Sequence, residues 1–191
     1  RIKAARETRE LPDINLNDLV MFCAVRALLE MPELNAEFID GQLYEHAEIN
    51  LGFACDTPRG LLVPVIKDSH KLSLPELSLR AKELAQRAAD GTISPDELTG
   101  GTFTVSNLGN LGISSFTPIL NPPQVALLGV NAIELKPVRR EGGVEFVEYL
   151  SLSLTCDHQV IDGAMGARFL KVLKDLIERV EALCGDLGCT T

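Results

Sequence analysis

The chain has 191 residues, 46% hydrophobic and 24% charged, the proportions of a globular domain rather than of a disordered segment. Its 18 basic against 27 acidic residues leave a net charge of −9, with no cluster of Lys and Arg to neutralise phosphates, so nucleic-acid binding is not expected. The longest apolar run, residues 19–25, falls far short of the roughly 20 residues of a membrane span, and without a basic segment followed by an apolar stretch no secretory signal is expected in these residues. Five cysteines at irregular spacing form no CxxC, and three histidines give a zinc site little to draw on; free thiols in a reducing compartment and no metal are the expectation.

Residues 1–10 are charged and patternless, and read as the stump of a longer element. Asn17 is the expected cap of an almost wholly apolar helix that runs to about Glu30 and is stopped by Pro32. Extended pieces follow at residues 42–44, 47–54 and 61–66, the last two joined by Asp56-Thr57-Pro58-Arg59-Gly60 as a hairpin. Ser73-Leu74-Pro75-Glu76 is a capping box, Leu77, Leu84 and Ala88 mark one face of the helix behind it, and Gly91 closes it in a left-handed cap. Ser94-Pro95-Asp96-Glu97 repeats the capping logic for one short turn.

Residues 102–105 read as a strand leading into the glycine-rich loop Ser106-Asn107-Leu108-Gly109-Asn110-Leu111-Gly112. Asn121-Pro122-Pro123 interrupts the chain before a buried strand at residues 125–130. Residues 132–139 and 144–155 then form a hairpin through Glu141-Gly142-Gly143. Leu150, Leu152, Leu154 and Cys156 share one parity of the second arm, and His158 continues it. Met165, Phe169, Val172, Leu173, Leu176, Ile177 and Val180 lie on one face of a final amphipathic helix. Without strict βαβ alternation, this mixture predicts one α/β domain over residues 1–191, a two-layer sandwich of a mixed sheet with helices on one face.

The stretch most suggestive of chemistry is Asp157-His158-Gln159-Val160-Ile161-Asp162-Gly163. A histidine at the apolar side of a strand end is favoured in its neutral form, the form a general base needs. Taken alone, the residue chemistry favours His158 as a satisfied core histidine and Asp162 as a helix N-cap over the catalytic reading. Ser106 follows a strand and could serve as nucleophile or oxyanion donor, or as an ordinary turn serine. Its surroundings lack the glycines of G-x-S-x-G, and Gly109 and Gly112 do not fit G-x-G-x-x-G. Cys156 shares the parity of His158, but side chains at i and i+2 of one strand lie roughly 6–7 Å apart, too far for a thiol–imidazole pair. His46 and His70 sit in polar, solvated contexts.

The segment Asp157 to Ala164, followed by Gly166-Ala167-Arg168-Phe169-Leu170, resembles the active-site segment of the dihydrolipoamide acyltransferases, the cores of the 2-oxo-acid dehydrogenase complexes. Gly101-Thr102-Phe103-Thr104-Val105-Ser106-Asn107-Leu108-Gly109 resembles that family's serine loop, and Asn121-Pro122-Pro123-Gln124, residues 57–66 and residues 17–35 agree with other family segments. The resemblance covers residues 13–183 and implies a chloramphenicol acetyltransferase-like fold. It also implies a domain that in the family begins some tens of residues earlier, with lipoyl and subunit-binding domains further upstream.

By the same resemblance, His158 is the general base toward a thiol, Ser106 hydrogen-bonds the tetrahedral oxyanion, and Asp162 fixes the geometry around His158. The substrates implied are coenzyme A and a dihydrolipoyl group carried on a separate lipoyl domain; no residue is assigned to coenzyme A binding, and no metal is required. The family forms homotrimers with the site between subunits. These often assemble into cubic or dodecahedral cores of twenty-four or sixty chains, which work with a decarboxylase and a dihydrolipoamide dehydrogenase in the cytoplasm or the mitochondrial matrix. Gln159 departs from the family's arginine. Acetyl is the expected acyl group, with branched-chain or acetoin-type specificity as alternatives and a catalytically silent trimeric scaffold as the competing class. A condensation-domain relationship is disfavoured, because Asp157 stands where that family has a second histidine.

Overall fold

The computed structural model describes residues 14–180; the readings made for residues 1–10, Cys184 and Cys189 lie outside the described residues. The first helix, α1 (Leu16–Glu30), begins two residues earlier than expected, with Asn15 rather than Asn17 as its cap. Asn15 Oδ1 accepts from the Asp18 N–H at 2.9 Å while Asp18 Oδ2 accepts from the Asn15 N–H at 3.0 Å. This reciprocal box satisfies two of the amide donors a helix start leaves open.

A hairpin follows that the strand pattern did not anticipate in full: β1 (Ala36–Ile39) pairs with β2 (Gln42–Glu45) across Asp40-Gly41. Both turn residues are left-handed, at φ 51° and 78°, as a two-residue turn between twisted strands requires. The hairpin expected between residues 47–54 and 61–66 has a tighter turn than was read: β4 (Cys55–Thr57) and β5 (Gly60–Leu62) take Asp56, Thr57 and Gly60 into strands, and the turn is closed by the Thr57 hydroxyl donating to the Gly60 carbonyl at 2.7 Å.

β3 (Leu51–Phe53), β6 (Val65–Ile66), β7 (Phe103–Asn107), β8 (Ala126–Arg140) and β9 (Gly143–Cys156) build the main sheet, in the order β6-β3-β7-β8-β9. The β3–β7 and β7–β8 pairs are parallel and the two outer pairs antiparallel, so the sheet is mixed. The strand expected at residues 125–130 and the arm at 132–139 are one strand, β8, irregular where its register with β9 shifts between Val130 and Ile133. The Pro122–Pro123 peptide just upstream is cis.

The second helix, α2 (Leu74–Asp90), carries the expected Ser73/Glu76 box and ends at Gly91 with φ 69°. The third, α3 (Gly163–Glu178), is capped by Asp162. One core joins the helices to the sheet: Phe22 and Leu28 of α1, Leu77 and Leu84 of α2, and Phe169 and Leu173 of α3 are buried with Phe103, Val105 and Leu128. The Phe103 and Phe169 rings meet with centroids 5.7 Å apart, which adds about 0.5–1.5 kcal/mol beyond the burial itself.

This contact identifies the two faces of the sheet. Side chains alternate along a strand, and residues paired across strands share a face. Phe103, Val105 and Asn107 point toward the helices, as do Leu128 and Leu154, their neighbours in register. Leu154 and Cys156 lie within 3.6 Å of where a side chain on Gly166 of α3 would be. Thr104, Ser106, Gly129, Ser153 and Thr155 therefore occupy the opposite face.

Candidate active site

Ser106 is not at the mouth of a loop, as the glycines suggested, but inside β7 and opposite Gly129 of β8. It is half-buried on the face away from the helices. Residues 113–124 cross that face. The Ile113 carbonyl accepts from the Ala132 N–H at 2.7 Å, and the Pro118 carbonyl accepts from the Thr155 hydroxyl at 2.6 Å. The Phe116 ring fills the space over Gly129, where a Cβ would be 2.9 Å from its Cζ. Gln124, buried beneath, accepts from the Thr104 hydroxyl at 2.7 Å and donates to the Gly101 carbonyl at 2.8 Å.

His158 corrects a second expectation. The strand ends at Cys156, and Asp157 turns the chain, so the imidazole is exposed rather than set on the apolar parity of the leucines. The turn is tied at both ends: Asp157 N–H donates to the Val125 carbonyl at 2.8 Å, and Ile161 N–H donates to the Asp157 carbonyl at 2.9 Å. Asp157 Oδ1 also accepts from the Gln159 backbone N–H at 3.0 Å, and the Gln159 side-chain amide donates to the two carboxylate oxygens at 3.3 and 3.4 Å. A neutral amide thus stands beside this carboxylate, at the position where the resemblance implied an arginine.

Asp162 lies on the same rim. Its Oδ1 accepts the Met165 N–H at 2.7 Å. That bond, helped by the Ala164 N–H and by the nearby Arg168 and His158, holds the carboxyl below the ordinary aspartate range. His158 and Asp162 share a cavity of about 320 Å³ between the end of β9 and α3, walled by Leu154, Cys156, Ile161 and Leu170. Burial pushes the Cys156 thiol up to about 11, so it is protonated and a poor nucleophile.

The fold brings His158 and Asp162 together and holds Ser106 apart. Ser106, Gly129 and Ser153 form one row across three strands, and Cys156 lies three residues farther along β9. At about 3.3 Å per residue and 4.8 Å per strand, Ser106 and Cys156 are roughly 14 Å apart at Cα, and His158 stands in the turn two residues past Cys156.

His46 and His70, expected in solvated contexts, are each half-exposed and also bonded: His46 Nε2 pairs with Glu37 at 2.9 Å, and His70 Nδ1 accepts from the Ile49 N–H at 3.2 Å. Asn107 was read only as part of a motif, yet its side chain bridges the serine strand to α1. It borders a polar cavity of about 730 Å³ with Asn15, Asn17, Asn110 and Asn131. No group of three or more His, Cys, Asp or Glu able to hold a metal occurs among the described residues, and no described helix is long and apolar enough to cross a membrane.

The family model for 2-oxoacid dehydrogenases acyltransferase (catalytic domain) matches residues 1–184. The chain belongs to this family. The acetyltransferase component 2 of the mitochondrial pyruvate dehydrogenase complex of Arabidopsis thaliana is 40% identical over 173 residues, covering 89% of this chain and 32% of its own length. The chain thus spans about a third of that relative. The cubic core of a pyruvate dehydrogenase multienzyme complex superposes with a TM-score of 0.87 at 38% identity, over 95% of this chain and 76% of that one.

A structure of Azotobacter vinelandii dihydrolipoamide acetyltransferase, 40% identical, superposes at a TM-score of 0.84 over 94% of this chain and 74% of that one. It accompanies an investigation of the role of one serine, one histidine and one asparagine in that enzyme's catalytic mechanism. The sequence separations of those three residues are the separations here of Ser106, His158 and Asp162, with aspartate in the asparagine's place. Chloramphenicol acetyltransferase, at 17% identity and a TM-score of 0.60, shares the fold.

Proposed function

We propose that the chain is a single acyltransferase catalytic domain, which moves an acetyl group between the thiols of coenzyme A and dihydrolipoamide. The observation that carries this reading is the spacing of Ser106, His158 and Asp162, held in common with a dihydrolipoamide acetyltransferase of the same fold. His158 removes the proton of the attacking thiol, and the thiolate adds to the thioester carbonyl. Ser106 hydrogen-bonds the resulting oxyanion. Collapse expels the second thiolate, which takes the proton back from the imidazolium. A thiol near pKa 8.5 and an imidazole near 6.5 differ by about two units, so the first transfer is uphill by roughly 2.7 kcal/mol. A positioned base contributes about 10²–10⁴ in rate, and one oxyanion donor about 10²–10³.

The distance between Ser106 and His158 within one protomer supports a site shared between protomers, with the histidine from one chain and the serine from its neighbour in a homotrimer. A larger core built from such trimers, served by lipoyl domains and by decarboxylase and dihydrolipoamide dehydrogenase components, extends this reading. It is encouraged by the likeness to a cubic core. Relatives come from mitochondria and from bacteria; the cytoplasm is the compartment proposed, the mitochondrial matrix its alternative. Asp162 acts as cap and orienting group for the turn that presents His158.

The test is steady-state acetyl transfer from acetyl-CoA to dihydrolipoamide, on protein whose mass in solution is known. An oligomer that turns over, and a His158→Ala variant that loses about 10² or more in kcat, support the assignment. A folded trimer without turnover on any acyl-CoA makes the domain a scaffold.

A further inference from the structure

Ser106 is the next-to-last residue of β7, a place where a strand is prone to fray unless something holds it. What holds it lies on the other face of the sheet. Successive side chains alternate, so while Ser106 points away from the helices, Asn107 points toward α1. Its Nδ2 donates to Asn17 Oδ1, in the first turn of α1, at 2.8 Å, and its Oδ1 accepts from the Gly109 N–H at 2.8 Å. Both ends of the amide are engaged. The chain beyond is pressed against β8: Leu108 N–H donates to the Val130 carbonyl at 3.1 Å, and a Cβ on Gly109 would stand 2.5 Å from the Asn131 carbonyl oxygen.

We propose that Asn17 and Asn107 are positioning residues for acyl transfer, a clamp that fixes the end of β7 against α1 and so sets where the Ser106 hydroxyl points. The proposal rests on the reading of Ser106 as oxyanion donor. Oxyanion stabilisation depends on a donor already aimed at the developing charge, and a displacement of about 1 Å costs on the order of 10²-fold. Without the clamp the β7–β8 ladder still forms, because its hydrogen bonds belong to the backbone. What is lost is the single orientation of the hydroxyl one peptide away. Neither asparagine touches substrate in this account, so the effect belongs to kcat and not to KM.

The experiment measures acetyl transfer by the full chain for Asn17→Ala and Asn17→Asp, each in the wild-type and the Ser106→Ala background. Asn17→Ala removes the acceptor and is expected to lower kcat about 10–100-fold, with KM for both substrates within about threefold. Asn17→Asp keeps an acceptor and stays within about threefold of wild type. In the Ser106→Ala background Asn17→Ala costs less than about twofold, since there is no hydroxyl left to aim.

An isosteric cycle keeps the test open if Asn17→Ala does not fold. Asn17→Asp and Asn107→Asp each preserve one donor and one acceptor, Asn17 turning its amide in the second case, whereas the double variant opposes two carboxylates and loses kcat as Asn17→Ala does. The clamp is overturned if Asn17→Ala keeps its kcat, if Asn17→Asp falls equally, or if the loss is the same with and without Ser106. Ser106→Ala at full activity overturns the oxyanion assignment and the clamp together, as does an unsubstituted chain that never turns over. Loss in Ser106→Ala but not in Asn17→Ala overturns the clamp alone.

Discussion

Ser106 and His158 open onto opposite faces of the five-stranded sheet: the serine beside Gly129 under the Phe116 ring, the histidine at the rim of the cavity between β9 and α3. No rotamer change within one protomer joins them, so a site that uses both draws them from two chains. This geometry predicts complementation. Ser106→Ala and His158→Ala oligomers are each expected to lose about 10² or more in kcat. Co-expressed in equal amounts and mixed at random in a ring, they form intact serine–histidine interfaces in about a quarter of positions, and activity returns to about a quarter of wild type. Mixed oligomers as inactive as their parents, with mixing verified by mass, would falsify the shared site.

Asp162 caps α3 through the Met165 N–H, and this bond holds its carboxyl below the ordinary range. A depressed carboxyl contributes stability above the unfolded value near 3.9 and loses it as pH falls through the lower folded value. The melting temperature of Asp162→Ala is therefore expected to lie below that of wild type at pH 7, with the gap narrowing under about pH 4. Asparagine caps a helix nearly as well as aspartate. Asp162→Asn should hold the melting temperature at pH 7 and keep kcat within about threefold, while Asp162→Ala loses both. Thermal unfolding across pH and steady-state kinetics at pH 7 read the two effects separately.

Cys156, pushed up to about 11 by burial, carries thiolate at about one part in 10⁴ at pH 7. It shares the cavity of His158 without the reactivity of a catalytic thiol. Cys156→Ala is expected to keep kcat within about twofold, and alkylation of this residue to run orders of magnitude slower than that of a free thiol. Rapid labelling accompanied by loss of turnover would assign the thiol a part in the reaction.

Gln159 tethers Asp157 by weak side-chain contacts at 3.3 and 3.4 Å, whereas its backbone N–H makes the shorter bond at 3.0 Å. The turn that presents His158 is therefore secured mainly by main chain. Gln159→Ala and Gln159→Arg should each leave kcat and KM within about threefold. A tenfold loss in Gln159→Ala would give the side chain a larger share in holding the turn.

The elements legible in the chain were those specified by neighbours in sequence. Ser73 with Glu76, and Gly91 as a left-handed stop, are complete instructions within one turn of helix, and both stand as expected. Asn17 is a residue type suited to capping, but Asn15 with Asp18 carries the better signal, since the box pairs two orphan donors at once. The missed strand β1 had its marker in Asp40-Gly41, a two-residue hairpin turn. For His158 the parity of the leucines failed where the strand stopped, because the carboxylate of Asp157 accepts a local N–H and bends the chain out of the sheet. Asn107 and Asn17, ninety residues apart, form a pair no window along the sequence contains.

Gly129 and Phe116 occupy one volume between them, a ring atom lying 2.9 Å from where a methyl on the glycine would be. Gly129→Ala is expected to cost about 1–3 kcal/mol, and Phe116→Leu in the same chain to recover part of it. The two positions consequently form a lock with an order of opening. A lineage that trims the ring first can afterwards admit a side chain at 129, whereas one that starts at 129 meets the clash before any relief. History along this stretch can run in one direction far more readily than in the other.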